Sequence, residues 1–302
     1  MNAIMPVEVQ APMQPFSSDQ TIGTALALMT RAFAAAGIDS AQRDARFLLQ
    51  SLLGLDGAVL LTQPQRSLGD DALRISDAVR RRLAHEPVSR IAGRREFYGR
   101  NFVITPDVLD PRADTETVID LALDIIKSKG WAKKALSIAD IGTGSGILIA
   151  TLLAELPNAR GIATDVSPAA LTIARQNAER LGVAERVTFV AARGLEGCVG
   201  PLDLIVSNPP YIATDKIAAL EPDVRNYDPM IALDGGPDGL RVYREIAEDI
   251  AKLQHSSCVV VEVGAGQAAD VKNVFSSVGW SLLGERNDLG GHARAVALEI
   301  HS

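Results

Sequence analysis

The stretch ALSIADIGTGSGILIATLLAEL, residues 135–156, constrains the fold of this chain more than any other. A β-favouring run leads into Gly142-Thr143-Gly144-Ser145-Gly146, and a long apolar helix pattern follows at once. Glycines let a backbone turn sharply and bring it within contact distance of a ligand, because a Cβ would fill that space. The start of the next helix offers unpaired N–H groups and positive potential. Taken alone, the same pattern also serves as an ordinary tight turn between strand and helix. It is not the dinucleotide fingerprint G-x-G-x-x-G, since Ile147 stands in the third glycine's place.

Beyond this point, strand and helix patterns alternate. Strands are expected at 136–141, 161–164, 187–190, 202–207 and 258–263, and helices at 147–155, 168–181, 239–253 and 267–278. That alternation predicts an α/β fold, a mostly parallel sheet with helices on both faces. Residues 280–283 and 293–300 follow each other across the NDLGGH loop as a closing antiparallel pair. Upstream, three short amphipathic helices are expected near 21–36, 41–53 and 70–84, the last ending before Pro87, and they suggest a small recognition domain. Around Gly93 and Gly99, residues 88–91 and 96–104 suggest a hairpin or a pair of short strands. The expected organisation is a disordered tail at 1–18, a helical domain at 19–86, a hairpin linker at 87–109 and a catalytic domain at 110–302.

Composition narrows the class. Hydrophobic residues are 47% and charged residues 22% of 302, the mix of a soluble globular protein with a sizeable core. No run approaches the roughly 18 apolar residues of a membrane helix, and the N-terminus carries no secretory pattern. Cys198 and Cys258 stand far apart and the four histidines are scattered, so no metal site is expected and a reducing cytoplasm fits. The first hundred residues hold 12 Arg against 10 acidic groups, net +2, which leaves −9 of the total −7 on the rest. An acidic main body is a poor general nucleic-acid binder. Arg80, Arg81, Arg82, Arg90, Arg94, Arg95 and Arg100 cluster, either as a solvated helix end and hairpin or as a docking face for an acidic partner.

Two further features carry chemistry. Asp165, 23 residues after Gly142, ends a strand where a carboxylate accepts ribose hydroxyls in nucleotide-binding α/β folds. A G-x-G-x-G loop with such an acid behind it resembles S-adenosylmethionine binding. The strand LDLIVS runs into Asn208-Pro209-Pro210-Tyr211, beside the glycine loop if ligands lie beyond the carboxyl ends of the strands. Consecutive prolines fix the backbone and remove two donors, leaving carbonyls free to accept. The Asn208 side chain and the Pro209 carbonyl can then hold both hydrogens of a planar –NH₂ group, and Tyr211 offers a face for stacking. Such a corner suits methylation of an amide or exocyclic amino nitrogen.

The D-I-G-T-G-S-G and N-P-P-Y motifs resemble those of class I amino-methyltransferases. With residues 86–116, 221–246 and the segment VVVEVGAGQ at 259–267, the chain is similar to the HemK/PrmC family of peptide chain release factor glutamine N5-methyltransferases. The resemblance runs from about residue 20 to the C-terminus. It implies a Rossmann-like class I S-adenosylmethionine-dependent methyltransferase, a seven-stranded sheet with an antiparallel C-terminal strand preceded by a small helical domain. It further implies methyl transfer to the glutamine of the Gly-Gly-Gln motif of release factors. Carried over position by position, Gly142, Thr143, Gly144, Ser145, Gly146 and Asp165 bind the cofactor, and Asn208 touches cofactor and substrate. Asn208, Pro209, Pro210 and Tyr211 cradle the glutamine amide, with Asn208, Pro209 and Tyr211 as the catalytic set. An adenine contact falls at Arg193 or Gly194, where this chain reads A-A-R-G-L in place of the usual acidic and aromatic pair. Arginine cannot accept from an adenine amino group, so that contact is expected from backbone or stacking. Asp110 and Ala113 also depart from the family pattern, and Arg112, Thr115 and Glu116 are either active-site wall or a capped helix start. A cytoplasmic monomer is expected, acting on release factors without nucleic acid or membrane. The rival readings are an amino-methyltransferase of DNA or RNA bases and a non-catalytic module that clasps release factors.

Overall fold

The spacing of Ile22, Ala25, Met29 and Phe33 becomes one buried stripe of helix α1 (Ile22–Ala35) in the computed structural model, which describes residues 14–253 and 257–300. Thr21 caps this helix, its hydroxyl accepting from Thr24 N at 3.2 Å. Helix α2 (Ala41–Leu53) stops at Gly54, whose φ of 62° is the left-handed turn that ends a helix. A short α3 (Gly57–Thr62) follows, then α4 (Ala72–Leu83) and α5 (Val88–Ala92). The chain divides into two compact units, the first ending at Ala92 and the second beginning at Gly93.

Three expectations change here. Helices α3 and α5 join the three expected ones. Residues 88–91 read as a strand from their β-branched members, yet Pro87 O accepts from Arg90 N and Ile91 N, and Ile91 packs into the helical core. Burial overrides the local preference. Residues 1–13 of the expected disordered tail lie outside the described residues, and so do His255 and His301. The remainder of that segment is anchored: Phe16 is buried in the helical core and its N–H donates to Ser76 Oγ at 2.8 Å.

The second unit opens with a true hairpin, β1 (Arg94–Phe97) and β2 (Arg100–Val103), turning through Tyr98 and Gly99 with φ of 51° and 70°. Positive φ at both loop positions is the two-residue turn that matches strand twist. This hairpin is no linker. Phe97 and Phe102 enter the core of the second unit, and Val103 N donates to Asn177 Oδ1 at 2.7 Å. After α6 (Glu116–Ser128) the expected alternation follows: β3 (Ser137–Ile141), α7 (Ile147–Glu155), β4 (Arg160–Asp165), α8 (Pro168–Arg180), β5 (Val187–Ala191) and β6 (Leu204–Ser207). Short helices α9 (Pro222–Arg225) and α10 (Met230–Leu233) precede α11 (Arg241–Ile250), β7 (Ser257–Glu262), α12 (Ala268–Ser276), β8 (Ser281–Asn287) and β9 (Ala293–Ile300).

The seven strands take the order β5-β4-β3-β6-β7-β9-β8, with β9 antiparallel to both neighbours. Period-two alternation sorts the side chains. Ile138, Leu204, Val206 and Val260 pack under α6 and α7, while Ala139, Ile205, Val259 and Val261 pack under α11 and α12. The chain builds outward from β3 through β4 to β5, then returns to lay β6 on the other side of β3. That reversal opens a crevice beyond the carboxyl ends of β3 and β6, the place where open α/β sheets bind ligands.

Five of the seven arginines of the cluster have carboxylate partners. Arg80 pairs with Asp77 at 2.6 Å, Arg81 with Glu86, buried Arg82 with Asp44 at 2.9 Å, Arg95 with Asp110 at 3.6 Å and Arg100 with Glu155 at 2.6 Å. Each of these five guanidinium groups has a carboxylate beside it.

Candidate active site

The loop after β3 is built by conformation. Gly142, Gly144 and Gly146 have φ of 66°, 54° and 77°, a left-handed region that other residues avoid. Thr143 N donates to Thr164 O on β4, and Gly144 N donates to Asp165 Oδ2 at 2.9 Å. Asp165 Oδ1 accepts from Ser167 N at 2.9 Å. Both carboxylate oxygens are therefore fixed in place, each with a lone pair left for a further donor.

A cavity of about 200 Å³ lies against this loop. Gly142, Thr143, Gly144, Ser145, Asp165, Arg193, Gly194, Asn208, Pro209 and Pro210 all line it, so nearly the whole expected set converges on one space. Gly146 stands apart. It precedes α7, and a Cβ there would meet Ala174 of α8 at 2.9 Å, so its smallness serves helix packing. Arg193 points a guanidinium nitrogen to Glu245 at 3.0 Å, and the Gly194 carbonyl accepts from Thr164 Oγ1 at 2.8 Å.

Tyr211 lines a second cavity of about 290 Å³, with Arg112, Asn208, Asp228 and Glu262. Leu109, Asn208 and Ala232 belong to both cavities. The proline corner is buttressed from the LDGGPDGL segment: Ile212 N donates to Leu233 O, Gly235 N donates to Ile212 O, and a Cβ at Gly239 would meet Tyr211 O at 2.4 Å. Gln267 Nε2 donates to the same Tyr211 carbonyl at 3.0 Å. Segments that carried only a likeness in the sequence thus clamp the corner in three dimensions.

Asn208 Nδ2 donates to Thr115 Oγ1 at 3.4 Å, and its Oδ1 accepts no hydrogen bond from the described residues. Of the three wall candidates, Thr115 lines the first cavity and Arg112 the second. Glu116 lines neither; its carboxylate accepts from Tyr98 N at 2.8 Å and holds the hairpin turn. Arg112 Nη2 donates to Asp228 Oδ2 at 3.0 Å, and Asp110 is buried with Arg95 and Arg112 nitrogens 3.6 Å from its Oδ2. That charge balance accommodates an acid where the family pattern has an apolar residue. Glu262 was unassigned at the sequence level, where it sat inside a hydrophobic strand; it is buried at the end of β7 and accepts from Tyr211 Oη at 3.3 Å.

Burial pushes two carboxyls up to about 7, Asp140 beneath the glycine loop and Glu262 beside Tyr211. Between the ordinary carboxyl range near 4 and about 7, the folded chain binds protons that the unfolded chain has released. Stability therefore falls as pH rises through that window, with a slope approaching about 1.4 kcal/mol per pH unit per group. Replacing Asp140 with Asn is expected to remove one group's share. Urea unfolding of both proteins at pH 5, 6 and 7 reads this directly, and identical slopes would contradict it.

Comparison with known proteins matches this architecture. Residues 24–93 match the model of the PrmC N-terminal domain, and residues 115–221 that of the methyltransferase small domain. The release factor glutamine methyltransferase of Bradyrhizobium diazoefficiens is 42% identical over 294 residues, covering 94% of this chain and 98% of its own. That of Agrobacterium fabrum is 40% identical over 280 residues, covering 92% and 97%. The chain belongs to the release factor glutamine methyltransferase family. Among solved structures, the hMettl16 catalytic domain in complex with the MAT2A 3′UTR hairpin 6 aligns with a TM-score of 0.53 at 17% identity, covering 67% of this chain and 76% of its own. That likeness is one of fold. Among the described residues of this family member, no cluster of His, Cys, Asp or Glu is placed to hold a metal ion, and no helix is long and apolar enough to cross a membrane.

Proposed function

We propose that this chain transfers a methyl group from S-adenosylmethionine to the side-chain amide nitrogen, N5, of the glutamine in the Gly-Gly-Gln motif of peptide chain release factors. One observation carries the reading: Asn208, its Oδ1 free of protein donors, stands where the two cavities adjoin. The first cavity suits a nucleoside-bearing cofactor, with Asp165 presenting a fixed carboxylate for ribose hydroxyls and the glycine loop leaving room for close approach. Arg193 and Gly194 stand at its wall for the base.

When bound, S-adenosylmethionine supplies a methyl group made electrophilic by its sulfonium. The residues do the rest by position. An amide nitrogen is a weak nucleophile because its lone pair is delocalised into the carbonyl. Asn208 Oδ1 and the Pro209 carbonyl accept its two hydrogens, orient it and stabilise the positive charge that develops there. Pro210 stiffens the corner, and Tyr211, its hydroxyl held by Glu262, offers its ring to the flat amide. The methylated nitrogen is strongly acidic and sheds its proton to water, so no dedicated base is needed.

The net −9 beyond residue 100 supports a protein rather than a nucleic-acid substrate. The free cysteines Cys198 and Cys258 suit the cytoplasm. Mass spectrometry of a co-expressed release factor is expected to find one added methyl on the Gly-Gly-Gln peptide. Transfer of labelled methyl to DNA or RNA and not to the release factor would overturn the reading. Absence of S-adenosylmethionine binding by calorimetry would return the chain to a non-catalytic clasp.

A further inference from the structure

We infer that Glu245, on α11, is the residue that reads the adenine 6-amino group of the cofactor. The inference rests on the proposed reading of the first cavity as the cofactor's seat. A site that selects adenine must offer its exocyclic –NH₂ group an acceptor. The loop after β5 reads Ala191-Ala192-Arg193-Gly194-Leu195, and the one charged side chain in it has donors alone. The acceptor has to come from another element.

Asp165 limits where the base can lie. The base is joined to the ribose, so it falls close to the carboxylate that takes the ribose hydroxyls. Two surfaces flank that carboxylate within the cavity. Val166, the next residue, is apolar and yet 44% exposed, and it lines the cavity as a face for a flat ring. Ala192 N donates to Asp165 O at 3.1 Å, which brings the loop after β5 alongside.

Helix α11 grips that loop with two carboxylates one turn apart on the same face. Asp249 Oδ2 accepts from Leu195 N at 3.2 Å, and a Cβ at Gly194 would collide with the same oxygen. Glu245 Oε2 accepts from Arg193 Nη1 at 3.0 Å, while its Oε1 accepts no hydrogen bond from the described residues. Arg193 therefore fixes one oxygen of Glu245 and leaves the other as an acceptor. Glu245 lines the cavity together with Arg193 and Gly194. The other carboxylates along that wall stand elsewhere. Asp140 accepts from Thr143 Oγ1 at 2.6 Å beneath the glycine loop, and Asp107 accepts from Thr105 Oγ1 at 3.1 Å in the segment after β2.

The test separates recognition of the amino group from a structural role. Calorimetry would titrate the full chain with S-adenosylhomocysteine and with its analogue carrying hydrogen in place of the 6-amino group. Wild type is expected to prefer S-adenosylhomocysteine by about tenfold, the low end for a hydrogen bond to a charged group, because Glu245 is partly exposed. Glu245→Ala should shrink that preference to within about twofold, with the whole loss on the S-adenosylhomocysteine side. Glu245→Gln should act in the same way although it keeps the shape. Its one oxygen goes to Arg193, and its –NH₂ group then meets the adenine –NH₂ group, donor against donor. Should Glu245→Ala misfold in a thermal melt, Glu245→Gln decides alone.

A wild type without preference between the two ligands would overturn the inference. So would variants that keep the full preference, or variants that weaken both ligands by one common factor, the mark of a merely structural ion pair. A wild type that binds neither ligand would instead sink the reading of the cavity as the cofactor's seat, and this inference with it.

Discussion

Asn208→Ala is expected to cut methyl transfer by about a hundred- to a thousandfold, the range seen when one preorganised charge-stabilising group is removed. The argument is geometric. Asn208 is the residue whose side chain borders both cavities with a free acceptor, and alanine leaves one amide hydrogen of the substrate without a partner. Cofactor affinity should hardly change, because Asp165 and the glycine loop are bonded to each other and not to Asn208. Single-turnover transfer with labelled cofactor, read beside calorimetry, checks both halves. Near-normal turnover would refute the assignment.

Asp165→Ala is expected to do the reverse, weakening S-adenosylmethionine binding by at least about a hundredfold, since hydrogen bonds to a charged group contribute about 1.5–3 kcal/mol each. Two effects combine. The ribose acceptors disappear, and Gly144 N and Ser167 N lose the carboxylate that fixes their loops. Transfer at saturating cofactor should recover most of the wild-type rate, because the reacting corner is untouched. Calorimetric titration showing less than a tenfold loss would count against a ribose-binding role.

The catalytic unit was legible in the sequence because its signals are local. The limits of α7 follow from glycine before and a continuous apolar run within, and β9 from the run after the NDLGGH turn. Asn208 to Tyr211 could be placed because a strand, two prolines and an aromatic ring occur in four adjacent positions. What could not be read depends on partners far along the chain. Helix α5 is β-branched in composition and helical by packing; Phe16 is one aromatic with no periodic neighbour. The burial of Asp110 becomes intelligible only with Arg95, Arg112 and Asp228 beside it. Thr115 looks like a cap until Asn208 Nδ2 is found donating to its hydroxyl, and Glu262 like an interruption in a strand until Tyr211 Oη is found donating to its carboxylate.

The two hollows adjoin at Leu109, Asn208 and Ala232 without either one filling the other. On the proposed function, methyl donor and glutamine would have separate seats that meet at Asn208. A single compound with an adenosine head and a short amide-bearing arm would occupy both seats at once, and its association constant should exceed that of either half by the other half's constant multiplied by an effective local concentration.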